Sequence, residues 1–342
     1  NYIGSKNKLI NFIEKVVELN NSKNNKKKLI FGDLFAGTGI VGQNFSNKFN
    51  IVSNDAEYYS YIINYSILKS KYSTKLKNII NDLNNLTELK EGLISKHYSV
   101  LGEKKRNFFS PDNAKKADTI REKINKIFEE KKITKKEKIF LIGSLLVSID
   151  RVANTTSVYG AYLKKLKTSA LKPLILEPIH KKKKINKNNK VYNKDIIDLD
   201  SEYDIVYLDP PYNNRQYSAN YAPLNFIAKY DETIIPYGKT GLLENYFKSD
   251  FCSKAKAKET MEKLINQLKT KMLLISYNNE GIISEDDFKD MLKKIGKVTI
   301  YKSKYKKYKS RKEDDNQTVT EYIYFVEKKQ EIKKEESNVV TI

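Results

Sequence analysis

The sequence predicts a doubly wound, Rossmann-like α/β fold. Three observations carry the prediction: short β-rich apolar runs in residues 1–66 and 190–330, helical apolar spacing between those runs, and a Gly-x-Gly turn directly after the first of them. The first run, 29–34, enters Gly37-x-Gly39 and then a helix marked by Ile40, Val41 and Phe45. The second, 50–53, ends just before Asp55 and a helix over 57–68. Residues 67–189 change character. Ile124, Ile127 and Phe128, then Phe140, Leu141, Ser144 and Leu145, recur at helical spacing with few strand runs, so the block reads as a mostly helical insertion rather than a tandem domain. The Lys- and Asn-rich stretch 181–190 reads as a solvated connector. Strand runs then return at 204–208, 272–276, 298–301 and 321–326. Between 276 and 298, Ser284 with Asp287 predicts a capping box, and Phe288, Met291, Leu292 and Ile295 share one face. The tail 331–342 is expected to be flexible.

Bulk composition narrows the class. The 342 residues, 39% hydrophobic with 24 Tyr and 14 Phe, suffice for a real core. Lys+Arg exceed Asp+Glu by 64 – 42 = +22, which favours a polyanionic partner, although lysine-rich composition also follows from an AT-rich genome. One cysteine, Cys252, leaves no intramolecular disulfide and fits a reducing, cytoplasmic setting. Two distant histidines, His97 and His180, argue against zinc, so no metal is expected. The apolar stretch 139–149 is too short for a membrane span, and the opening residues do not read as a signal peptide.

The most informative motif is Asp209-Pro210-Pro211-Tyr212, at the end of the 204–208 run. An exocyclic amine on a purine is a poor nucleophile because its lone pair is delocalised into the ring. A carboxylate and a rigid carbonyl accepting both N–H hydrogens would localise that pair. Two successive prolines lock φ and aim the Pro210 carbonyl, while Tyr212 offers a flat stacking face. The plain alternative is a Pro-Pro strand end with a core tyrosine. Gly37 and Gly39 let backbone approach a ligand; Phe35 and Ala36 stand where a dinucleotide fingerprint would begin, so the loop is not that fingerprint. Asp55, eighteen residues beyond Gly37, suits a ribose diol or a helix cap. Asp195 could accept from a purine amine while Ile196 covers the ring, or simply serve a turn.

These motifs, with Tyr2-Ile3-Gly4-Ser5-Lys6 ahead of them, resemble in identity and order the Dam-like alpha class of DNA adenine-N6 methyltransferases. The segments Asn213 to Tyr221, Ser157 to Lys164 and Ser276 to Gly281 are most similar to FokI-type type IIS modification enzymes. The resemblance implies a methyltransferase sheet with an antiparallel terminal hairpin, S-adenosyl-L-methionine as cofactor, and a target-recognition region in 67–189. It implies Tyr2 and Lys6 at the methionine end of the cofactor, Asp33 at its amino group, Asp55 at its ribose and Asp195 at its adenine. Asp209, Pro210 and Tyr212 would hold the target base. The expected partner is double-stranded DNA, in a restriction–modification system with a cognate endonuclease; an RNA adenine methyltransferase and a non-catalytic DNA-binding subunit are the other readings. A base inside a duplex must be extruded to be reached. Segment 302–312 holds seven Lys/Arg in eleven residues, among them Lys304, Lys306, Lys307 and Arg311, and is expected on phosphates, with Arg215 and Gln216 contacting phosphate or a base edge.

Overall fold

The structure, a computed structural model, describes residues 6, 9–21, 27–156, 158–306 and 318–329. Among these, one sheet runs β3-β2-β1-β4-β5-β7-β6. Its strands are β1 (Ile30–Asp33), β2 (Asn50–Asn54), β3 (Lys190–Tyr192), β4 (Glu202–Leu208), β5 (Lys269–Asn278), β6 (Gly296–Lys306) and β7 (Thr318–Lys328). Neighbours from β3 to β5 pair parallel, whereas β7 is antiparallel to both β5 and β6. The antiparallel terminal hairpin is therefore present, on longer strands than the 298–301 and 321–326 runs suggest. The chain leaves β1 toward β2 and β3, then returns to β4 on the other side of β1. That reversal opens a crevice at the carboxyl ends of β1 and β4, the usual place for a ligand in such sheets.

Helices cover both faces. One side carries α1 (Ile10–Asn20), α2 (Ile40–Phe45), α3 (Tyr58–Lys69) and the inserted helices α4 (Thr74–Asn84), α5 (Leu93–Tyr98), α6 (Pro111–Glu129) and α7 (Lys135–Arg151). After β4 come α8 (Tyr217–Asn220) and α9 (Ala222–Lys229), then α10 (Ala257–Gln267) and α11 (Glu285–Ile295). Strand alternation feeds two cores. Phe31, Ile51, Ile205, Tyr207 and Leu274 pack with the inserted helices, while Val52, Val206, Leu208, Leu273 and Ile275 pack with α10 and α11. The insertion thus shares one core with the sheet.

Local chemistry explains the inserted helices. Ser110 caps α6 ahead of Pro111, and Thr134 with Glu137 forms a complete capping box on α7. Gly143 of α7 meets Ser66 of α3 so closely that a Cβ there would lie 2.3 Å from the Ser66 hydroxyl, so only glycine allows this approach. The insertion is also tied to residues 230–256. Arg106 donates to the carbonyls of His97 (3.0 Å), Pro236 (3.0 Å) and Gly238 (2.9 Å), and the Tyr98 hydroxyl donates to Gly241 O at 2.7 Å.

Three local expectations change. The connector is not wholly solvated: Asn189 is buried, accepting from Ile51 N (2.9 Å) and donating to Leu68 O (3.2 Å). It leads into β3, an edge strand of Lys190-Val191-Tyr192 too short and too polar to show alternation. At α11, Ser284 caps Asp287 N, but the short Asp287 carboxylate takes the Ser284 hydroxyl and the Lys258 ammonium in place of the reciprocal backbone bond.

Candidate active site

The crevice is walled by the ends of β1, β2 and β4 and by irregular segments around residues 195 and 250. Its lining includes Lys6, Asp33, Phe35, Ala36, Gly37, Asp55, Asp195, Ile196, Tyr207, Asp209 and Pro211. Residues predicted from five separate stretches of sequence therefore meet in one cavity. Gly39 shapes the loop beneath it, and Pro210 is buried beside it. Tyr2 lies outside the described residues.

The glycine loop is held from three sides. Gly37 and Gly39 adopt φ of 51° and 75°, the left-handed region that favours glycine. Gly37 N donates to Asp55 Oδ2 at 2.7 Å, and Gly37 O accepts from Ser60 Oγ (2.6 Å) and Asn64 Nδ2 (3.0 Å). Asp55 Oδ1 takes Glu57 N at 2.9 Å, so Asp55 braces both the loop and the entry to α3. Asp33 Oδ2 accepts from Gly42 N at 2.8 Å. Asp195 caps a single 3-10 turn, Ile196–Asp198, and the buried Ile196 side chain lines the cavity.

At the other end stands a buried charge cluster. Lys6 Nζ lies 3.0 Å from Asp209 Oδ1 and 2.5 Å from Glu321 Oε1, and 5.9 Å from the centre of the Tyr212 ring. Lys6, expected at the methionine end of the cofactor, lines the crevice and reaches the catalytic-motif aspartate. Burial pushes the Asp209 carboxyl up to about 6; the Lys6 ammonium pulls it back and Glu321 adds to the rise. Burial likewise lifts Asp33 to about 7, opposed by its Gly42 bond and reinforced by Asp209 and Asp55. For Lys6, burial opposes the charge, but Asp209, Tyr207 and Glu321 outweigh it and hold the ammonium well above its ordinary pKa. Tyr212 is half-buried, with its ring edge-on to Tyr277 at 6.1 Å and its carbonyl accepting from Ile282 N at 3.0 Å.

Two DNA-contact expectations meet the structure differently. Arg215 is exposed, beyond the catalytic motif. Gln216 is partly committed: its amide donates to Ser249 O (3.2 Å) and accepts from Ser249 N (2.8 Å), clamping the 247–252 wall. One amide hydrogen and one carbonyl lone pair of Gln216 remain beyond that clamp, and the residue also lines the crevice. Lys304 and Lys306 fall at the end of β6, which runs parallel to β4 and so points toward the crevice edge. Lys307 and Arg311 lie outside the described residues.

Sequence reasoning missed several site residues. Glu57, buried and pushed up to about 7 by burial, joins the Ser218 hydroxyl and Asn225 Nδ2 (2.6 Å), tying the post-catalytic segment to α3. Phe251, edge-on to Phe35 at 5.2 Å, supplies an apolar wall from a stretch with no recognisable motif. Glu321 appeared only as the start of a strand run.

The donor set fits S-adenosyl-L-methionine. Asp33, Asp55 and Asp195 line a path with apolar Phe35, Ile196 and Phe251, suited to a cationic nucleoside carrying an amine and a ribose diol. The buried Tyr207 hydroxyl has no hydrogen-bond partner of good geometry, which leaves a polar atom for a ligand near Asp209. Among the described residues no cluster of His, Cys, Asp or Glu could hold a metal ion, and no helix is long and apolar enough to cross a membrane.

Residues 2–291 match the family described as D12 class N6 adenine-specific DNA methyltransferase. The chain is 40% identical to Type II methyltransferase M.NlaIII of Neisseria lactamica, covering 96% of this chain and 99% of that protein. It is 38% identical to Type II methyltransferase M.CviAII of Paramecium bursaria Chlorella virus 1, covering 95% and 97%. It is also 35% identical to Type II methyltransferase M.FokI of Planomicrobium okeanokoites, covering 96% of this chain and 52% of that protein.

Proposed function

From the premise that the chain belongs to the D12 class of N6 adenine-specific DNA methyltransferases, and is a site-specific enzyme of that chemistry using S-adenosyl-L-methionine, we propose how its residues divide the work. Bound in the crevice, the cofactor supplies an electrophilic methyl on a sulfonium, an already activated leaving group. Asp55 receives the ribose, Asp195 and Ile196 the cofactor adenine, and Asp33 its amino group, with Phe35, Ala36, Gly37 and Gly39 shaping the wall. Asp209 and the Pro210 carbonyl accept the two N–H hydrogens of the target adenine amine, while Pro211 fixes the turn and Tyr212 stacks on the base. The single observation that supports this reading most is the convergence of Asp209 and Tyr207 with the carboxylates of the Gly37 loop in one cavity at the strand-order reversal.

We assign residues 67–189 to target recognition and 1–66 with 190–330 to catalysis. In support, the Tyr159 amide donates to Asn220 O at 2.9 Å, so the insertion abuts the segment following the catalytic motif. Arg215, Lys304, Lys306, Lys307 and Arg311 contact phosphate. The chain acts on double-stranded DNA within a restriction–modification system, alongside a cognate endonuclease. Its likeness to M.FokI extends over about half of that protein, and we place the chain with the FokI-type type IIS modification enzymes. The test is transfer of labelled methyl to matched duplex DNA and RNA. N6-methyladenine in duplex DNA alone is the expected result; labelled RNA, or no label in either, overturns the reading.

A further inference from the structure

We propose that Glu321 is a positioning residue that holds Lys6 between two carboxylates, so that Asp209 keeps its accepting lone pairs for the target amine instead of surrendering them to the ammonium. This rests on the Asp209 role proposed above. Glu321 is 1% exposed and comes from β7, opposite Asn278 of β5, in the antiparallel half of the sheet. It does not line the crevice. Its Oε1 takes Lys6 Nζ at 2.5 Å and the Ser276 hydroxyl at 2.7 Å, while the same ammonium stands 3.0 Å from Asp209.

The arrangement has a chemical consequence. A buried ammonium with one carboxylate partner would place its protons on that carboxylate and depress its power to accept another hydrogen. Sharing the ammonium between two carboxylates leaves the trio with net negative charge. That suits the reaction, in which the new N–CH3 bond forms as the S–CH3 bond breaks, sulfur keeps the bonding electron pair, and positive charge passes to the amine nitrogen near Asp209. The groups facing Asp209 are Lys6, Asp33 from β1, Tyr207 from β4, Tyr217 from α8 and Glu321 from β7. Of these, Lys6 holds the Asp209 carboxyl down, and Glu321 raises it.

The test uses Glu321→Gln, which keeps shape and removes charge, with Ser276→Ala as a milder variant should the first fail to fold. In the ligand-free full chain, carbon-13 carboxyl resonances are titrated, with the Asp209 signal identified by its loss in Asp209→Asn. Cofactor affinity and the pH dependence of turnover are measured on the same proteins. Glu321→Gln should move the Asp209 titration and the acid limb of turnover to lower pH. Turnover should drop about tenfold, with cofactor affinity within a few-fold of wild type; Ser276→Ala should move both the same way by less. An unchanged Asp209 titration in the folded variants overturns the inference, whatever happens to turnover. If Asp209→Asn keeps wild-type turnover, the failure lies in the Asp209 reading instead, and the titration still decides whether Glu321 tunes that carboxyl.

Discussion

The two ends of the crevice are built by different means. At the Gly37 end, Asp55 is held by backbone: its two oxygens accept from Gly37 N and Glu57 N, and the loop is closed again by Ser60 and Asn64. At the Asp209 end the carboxylate is held by charge, through Lys6 and Glu321, with the Tyr207 hydroxyl left without a good partner. A backbone-held carboxylate is preorganised in place and serves binding. A charge-held one has a proton affinity that neighbouring charges tune, which suits chemistry.

The sharpest way to break this contrast is Asp209→Ala. In the proposed division of work its carboxylate acts on the amine in the transition state, so turnover should fall at least ~10²-fold, the scale for removing one oriented electrostatic partner. Steady-state kinetics at saturating cofactor would show it. Tyr212→Ala should be comparably damaging and Tyr212→Phe much milder, because the stacking face survives; equal losses would mean that the hydroxyl matters. At the other end, Asp55→Ala should weaken cofactor binding by ~1–3 kcal/mol, the scale of hydrogen bonds to a charged group, as read by calorimetry.

Smaller effects follow from protons and salt. With Asp209 raised to about 6, turnover should decline as pH falls through that value, since a protonated carboxyl is a poor acceptor. Stability moves the opposite way. Asp33, Glu57 and Asp209 are raised to about 7, 7 and 6. The folded state therefore binds their protons more tightly, and the stability they contribute is present at low pH and lost as pH rises through 6 to 7. Thermal melts of Asp33→Asn should lose part of that slope. Neutralising Lys304, Lys306, Lys307 and Arg311 together should weaken binding to every duplex alike and flatten the salt dependence, the slope changing by ~0.9 for each phosphate no longer neutralised. Loss of specific binding alone would mean that this segment reads bases.

The sequence made one end more legible than the other. The place of Asp55 at the crevice could be read because its surroundings are local: a strand end, a glycine loop eighteen residues earlier, a helix start. Asp209 could be read from its own tetrapeptide. The partners of Asp209 could not, because Lys6 and Glu321 are 315 residues apart and meet only through the sheet. The clamp between Gln216 and Ser249 could not be read either, because the two lie 33 residues apart. The 247–252 wall carries no periodicity or motif, so Phe251 was invisible. The fold was legible because strand runs and helix faces are local patterns, and β3 was missed because three residues hold too little pattern.

The most direct test measures two constants on three proteins: cofactor dissociation and the single-turnover methyl-transfer rate at saturating cofactor, for Asp55→Ala, Asp209→Ala and the double variant. Separate roles predict that Asp55→Ala loses affinity but keeps the rate, Asp209→Ala loses the rate but keeps affinity to within a few-fold, and the double variant shows both losses at their single-variant sizes. Rate and affinity falling together in each single variant would contradict the division between a binding end and a chemical end.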